Sequence, residues 1–362
     1  MRLAPLSLLM APLVVGCRGE AKPESDIGCD EGTHLKNGAC VPDEDTETDT
    51  DANADADNDT NADPNGDGLT DPLHCEGDRS YEDAEGCAVI TGDLYVVHTN
   101  TEDLELLHSL QSVHGNVEIS GNASLSSFFL GNLSDIGGNL EIDSHAALTS
   151  FSLDSLTNVD GDLNLGENAA LTSFSFDSLT NIGGSLNIGF NNALTFFSFD
   201  NLTALGGDPR IVFNPALTSF SLDGLTEISG EVRISFNDAL TSFSFDSTTN
   251  IGGGLAIINN DNLTTFSLDN LNDLGGYLDM TSNGALTSFA LDNLTNIDGY
   301  LYIFENDALT SFSLDSLTHI GGGLWFQNHN ALCQSLVDTF MTAMESFGWT
   351  GSSDISGNDE SC

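Results

Sequence analysis

From Leu125 to Leu332 the apolar residues fall into columns. A leading leucine recurs at Leu125, Leu148, Leu171, Leu194, Leu217, Leu240, Leu263, Leu286, Leu309 and Leu332, every step 23 residues. Taking that leucine as position 0, position 3 is Phe from Phe128 to Phe312 without exception, and position 5 is Leu or Phe. Side chains two apart that share a character predict a short strand, and the apolar pair at positions 15 and 17 predicts a second one. Position 8 is usually Leu and position 11 is Ile, Val or Leu, and these form a looser third side. No apolar spacing of 3.6 runs through these units, which excludes helices from them. A period this strict predicts a solenoid, because a length change in any unit would break the stacking of its neighbours.

Two further columns carry backbone information. Position 13 is glycine in every unit from Gly138 to Gly322, which predicts a corner that needs either positive φ or close backbone approach. Position 20 is asparagine from Asn168 to Asn306, and stacked amides inside a coil can satisfy one another and the turn carbonyls. A single coil buries too little to stand alone, so stability belongs to the array.

The ends of the array depart from the period. Cys75 to Cys87, followed by alternating apolar residues up to Val97, suits an N-terminal cap over the open end of a solenoid. An irregular coil, Leu104 to Ser124, leads into the regular ones. Beyond Leu332, apolar residues at Leu336, Val337, Phe340, Met341 and Met344 have helical spacing and predict a capping helix.

Charge narrows the list of partners. The chain of 362 residues carries 7 basic and 56 acidic side chains, a formal charge of -49. Such a field repels phosphate backbones, which argues against nucleic-acid binding. Residues 43–71 hold twelve acidic residues and no basic one, the composition of an extended stalk. At its end, Asp63, Asn65, Asp67 and Asp71 alternate oxygen ligands around Gly66 and Gly68, resembling a thrombospondin type 3-like calcium repeat. Calcium is therefore a candidate ligand there, beside the plainer reading of a solvated acidic linker. Position 6 is Asp in eight coils, a column that either is solvated and hydrogen-bonded or collects cations.

At the front, Arg2 precedes a short apolar run that ends in Leu13-Val-Val-Gly-Cys17, which resembles a bacterial lipoprotein box. The resemblance implies export, lipidation of Cys17, and anchoring to membrane through that lipid, at the outer membrane or cell surface. The other six cysteines form three local pairs, Cys29 with Cys40, Cys75 with Cys87, and Cys333 with Cys362, expected as disulfides in an oxidising compartment. The chain divides accordingly. Residues 1–16 are a signal segment, 17–42 a small loop region, 43–74 the acidic stalk, 75–124 the cap and irregular coil, 125–332 the repeats, and 333–362 the C-terminal cap.

The pattern Leu-Thr-Ser-Phe…Leu-Thr-Asn-Ile-Gly-Gly-x-Leu-x-Ile…Asn-x-Ala-Leu resembles the receptor L-domain repeats of insulin and epidermal growth factor receptor ectodomains. It is closer still to versions in fungal GPI-anchored wall proteins and bacterial surface lipoproteins. The resemblance implies an all-β fold, a right-handed parallel β-helix of about ten 23-residue coils with disulfide caps and a C-terminal capping helix.

Candidate chemistry lies where the columns vary. Positions 14 and 16 carry Tyr277, Tyr300, Tyr302 and Trp325 toward the C-terminal end, expected to form one aromatic patch. Arg210 and Arg233 lie on the same face and are expected to pair with Asp208 and Glu231. Clustered exposed aromatics suit a sugar ring or a protein partner. The position-6 aspartates repeat in eight coils, unlike a unique pair of catalytic carboxylates, and the coils hold no lysine. The expectation is a non-catalytic, lipid-anchored binding or adhesion module. A structural spacer without a specific ligand is the alternative.

Overall fold

The computed structural model describes residues 73–362 and, ahead of them, the two strands Thr33–Lys36 and Ala39–Pro42. The chain divides into two units, Met1–Ala62 and Asp63–Cys362. In the first, the two strands pair antiparallel, Thr33 opposite Pro42. Cys40 lies on the second of them. Its side chain, Cys29, Cys17 and the candidate calcium ligands Asp63, Asn65, Asp67 and Asp71 lie outside the described residues.

The second unit is a parallel β-solenoid. Each regular coil contributes three strands, at positions 2–4, 10–11 and 15–18, as in Ser150–Ser152, Asn158–Val159 and Leu163–Gly166. The third side is thus a two-residue strand, more ordered than the looser edge its sequence suggests. Each strand pairs in parallel with its equivalent one coil away; Leu163, for example, sits between Leu140 and Leu186. The 15–18 strands join into one sheet of 13 strands that runs from cap to cap, called the long sheet below.

Alternation decides what fills the interior. Leu163 and Leu165 point inward and are buried, and the phenylalanines of position 3 stack along the axis. Their ring centroids are 5.0 Å apart for Phe128–Phe151 and 5.2 Å for Phe197–Phe220.

The two backbone columns have different physical reasons. The position-13 glycines do not adopt positive φ. They permit close approach: a Cβ on Gly184 would lie 2.8 Å from the Gly161 carbonyl carbon, and the Gly184 N–H donates to the Gly161 oxygen at 2.9 Å. Positive φ falls instead at position 19, one residue per coil, on non-glycine residues such as Glu167, Phe190 and Asn259. That turn sends the chain off the long sheet into the asparagine ladder.

In the ladder the Asn214 N–H donates to Asn237 Oδ1 (3.0 Å), and its Nδ2 donates to the Ile188 carbonyl (3.0 Å). Its Oδ1 accepts the Asn191 N–H at 3.1 Å. The ladder extends further than seven coils. Asn122 precedes it, and His145 and His329 take the same position, fully buried. The Asn122 N–H donates to His145 Nδ1 at 3.1 Å, so the proton sits on Nε2, 3.1 Å from the Ile119 oxygen. Burial, the dominant cause, pushes both imidazoles below their ordinary value.

Both predicted caps form. Cys75 bonds Cys87 and Cys333 bonds Cys362. The coil before Leu125 keeps the 23-residue register in two of its three strands; a single turn of 3-10 helix, Glu105–Leu107, replaces the strand at positions 2–4. At the other end, helix Gln334–Ser346 buries Val337, Met341 and Met344 against the last coil. Phe340 packs edge-on against Phe312 and Phe326, whereas Leu336 is exposed. Asn358 closes the ladder, its Nδ2 donating to the Phe326 carbonyl at 3.0 Å.

Candidate functional site

The outward columns of the long sheet are where the coils differ, and parallel register lines the differences up. Position 16 reads Arg210, Arg233, Ala256, Asp279, Tyr302 and Trp325 through consecutive strand pairs. Position 14 alongside it reads Gly254, Tyr277, Tyr300 and Gly323. The expected patch does come together. Tyr277 and Tyr300 stack at 4.8 Å with their planes 5° apart. Trp325 meets Tyr300 and Tyr302 edge-on at 6.2 and 6.0 Å, and Tyr302 stacks on Phe304 at 5.5 Å.

What holds the rings is a pair of glycines that column reading overlooked. A Cβ on Gly254 would lie 2.6 Å from the Tyr277 ring, and one on Gly323 would lie 2.3 Å from the Trp325 ring. The outer rings therefore lie flat over bare backbone. The signal was available in the triplets Gly252-Gly253-Gly254 and Gly321-Gly322-Gly323, where a third glycine enters the position-14 column.

The arginines adjoin this patch. Arg210 pairs with Asp208 at 2.9 Å and Arg233 with Glu231 at 3.2 Å, as expected from their spacing on one strand face. Ala256, between Arg233 and Asp279, is fully buried although it points out of the coil. Burial, and then the Glu231 carboxylate, push the Tyr277 hydroxyl up to about 12. Burial likewise raises the Asp279 carboxyl, against the opposing effects of Thr281 and Arg233. The surface is thus a preordered strip, aromatic at one end and carrying two arginine–carboxylate pairs at the other, with neutral phenols at physiological pH.

A second aromatic feature escaped the column reading. Phe190, Phe213 and Phe236 occupy the positive-φ turn in three successive coils. They stack at 4.8 and 4.6 Å and stay 51%, 40% and 40% exposed. Their column is otherwise mainly polar (Ser144, Glu167, Asn259, Ser282), so the substitution itself was the signal.

The acidic column at position 6 has partners in the next coil. Ser244 Oγ donates to Asp223 at 3.0 Å, and Ser175 bonds Asp154 in the same way, which lowers the Asp154 carboxyl. Among the described residues, no group of three or more His, Cys, Asp or Glu side chains converges at metal-binding spacing.

Residues 86–161 match the receptor L domain family. The similarity covers about a fifth of the chain, from the end of the N-terminal cap into the second regular coil. Neither the curated proteins nor the solved structures contain a match to the chain. The receptor L-domain likeness thus stops well short of the aromatic strip; within the matched segment the same position-16 column holds a single tyrosine, Tyr95.

Proposed function

We propose that the chain is a non-catalytic binding or adhesion module, exported and anchored to membrane by lipid on Cys17, that recognises a glycan or protein through the long sheet. The observation that carries this reading is the self-packed cluster of Tyr277, Tyr300, Tyr302 and Trp325 over Gly254 and Gly323. Rings fixed in advance lose little entropy on binding, and a mixed apolar and hydroxyl-bearing surface suits sugars and protein anchors alike. Farther along the same face, Arg233 and Arg210, each paired with a carboxylate on its own strand, add charged hydrogen-bonding groups. Identical coils support the cluster and leave this face free to vary.

The test is capture of glycans and envelope proteins by the full chain, beside a Tyr300→Ala/Trp325→Ala variant. Binding that the variant loses, with its fold retained by circular dichroism, supports recognition at the strip. A wild-type chain that captures nothing favours a structural spacer. Anchoring is tested separately: Cys17→Ser should move the protein from the membrane fraction to the soluble one, and an unchanged distribution would remove the lipid anchor.

A further inference from the structure

The long sheet carries a concavity several coils before the aromatic strip. Position 18 runs Asp143, Gly166, Gly189, Val212 along one register. Two consecutive glycines leave the column without side chains between Asp143 and Val212. Three coil steps separate those residues, roughly 14 Å at the usual strand spacing. The resulting groove has a volume of about 320 Å³. Nothing in the backbone demands glycine at Gly166, where an added Cβ would meet only the Gly189 oxygen, at 3.7 Å. Glycine there leaves room; it does not relieve a clash.

The two sides of the groove differ in chemistry. On one, Phe190 stacks on Phe213 through one ring face only. The opposite face is turned toward the preceding coil, where the column holds Glu167 and the groove begins. Every coil takes positive φ at this turn, so strain does not single Phe190 out; an exposed phenylalanine in a column otherwise mainly polar does, because its ring gives up hydration where a polar side chain would not. On the other side stand Asn164 and Asn187, with the Asn187 Nδ2 donating to Asn164 Oδ1 at 2.7 Å. That bond leaves the Asn164 Nδ2 and the Asn187 Oδ1 available to a ligand.

The N-terminal end is acidic. Glu141 is raised from its ordinary value by burial first and by Asp143 and Glu118 after it. Asp143 accepts from Ser144 through Oδ2 (2.8 Å), while its Oδ1 is one of three buried side-chain polar atoms without a partner among the described residues. A small turn of the carboxylate toward the groove would let that oxygen accept a hydroxyl. Arg210, at the far end, is occupied by Asp208.

We propose that this groove is a saccharide subsite for a neutral β-linked sugar. A pyranose with equatorial substituents presents a flat face of C–H bonds to the Phe190 ring. Its rim of hydroxyls meets Asn164, Asn187 and the Asp143 carboxylate, and the glycine floor lets the ring approach the backbone. Carboxylates at one end and a net charge of -49 disfavour sulfated or phosphorylated sugars. The proposal rests on the reading of the chain as a binding module, but its residues are separate from the aromatic strip.

Saturation-transfer NMR and calorimetry on the full chain test it, with cellotriose and chitotriose as probes and a sulfated heparin tetrasaccharide as the contrast. Both or either neutral trisaccharide should bind. Gly166→Val should weaken that binding at least tenfold; valine already stands in the same column at Val97 and Val212, so the fold should persist. Phe190→Ala should weaken it similarly, and Tyr300→Ala/Trp325→Ala should leave it unchanged. The proposal falls if neither neutral sugar shows transfer, if Gly166→Val binds as well as wild type, or if only the sulfated sugar binds. Loss confined to the Tyr300→Ala/Trp325→Ala variant would support the aromatic strip and overturn the groove.

Discussion

The asparagine ladder inside the turns and the outer columns of the long sheet lie a few residues apart in every coil, yet they obey opposite rules. In the ladder, each amide is the partner of the coils on both sides, and all the ladder asparagines from Asn122 to Asn306 are fully buried. Any change leaves buried donors or acceptors unpaired, so only side chains offering an acceptor and a donor at the right places fit. The imidazoles of His145 and His329 meet that condition. On the outer columns each side chain answers only to its surface neighbours. Glu, Asn, Arg, Ala, Asp, Tyr and Trp therefore follow one another at position 16. Repetition marks what holds the coils together, and variation marks what can face a ligand.

The sharpest way to break this contrast is to place an apolar residue in the ladder. Asn214→Leu removes the acceptor of the Asn191 N–H and the donor to the Ile188 carbonyl. At about 1–3 kcal/mol for each buried group left unpaired, urea denaturation should show a loss of roughly 3 kcal/mol or more. A loss below about 1 kcal/mol would mean that the ladder is incidental.

A pair of glycine variants sharpens it next. Gly184→Ala puts a methyl 2.8 Å from the Gly161 carbonyl carbon, whereas Gly166→Ala meets nothing closer than 3.7 Å. The first should cost about 1–3 kcal/mol by overpacking, the second less than about 0.5. Equal costs would refute the close-approach account of the corner.

Acid should separate the two histidines from the asparagines they replace. Their folded values lie below the ordinary 6.5 because burial opposes the charge, with Asp143 and Asp307 opposing the shift weakly. The unfolded chain therefore takes up protons first. The stability is fully present above about pH 6.5 and is lost as pH falls toward the folded values. Wild type should lose roughly 2–4 °C of Tm between pH 7 and 5.5 relative to a His145→Asn/His329→Asn variant. Parallel Tm curves would show that the imidazoles do not contribute.

The smallest effect belongs to the outer face. Arg210→Ala breaks an ion pair whose side chains are 49% and 29% exposed, and stability should move by less than about 0.5 kcal/mol. A larger loss would make the arginine a structural element rather than part of a variable surface.

Much of this could be read before folding. The phenylalanine column, the long sheet and the convergence of Tyr277, Tyr300, Tyr302 and Trp325 follow from a period without insertions, because equal spacing along the chain becomes vertical stacking in space. The pairing of Arg210 with Asp208 follows from a two-residue offset on one strand face. The Phe190 stack did not emerge, because position 19 lies past the strand end, where alternation no longer says which way a side chain points. The roles of Gly254 and Gly323 did not emerge either. They depend on the direction in which the Tyr277 and Trp325 rings lean.

By itself, then, the sequence determined the coil, its register and which residues line its interior, since those follow from period and alternation along one chain. Tertiary structure alone decided that the corner glycines serve close packing and that the left-handed turn falls on phenylalanine in three coils. It alone placed the gap at Gly166 and Gly189 beside the open face of Phe190. Each is a relation between side chains and backbone of different coils at a particular rotamer and φ. A linear pattern carries the spacing of such groups but neither angle.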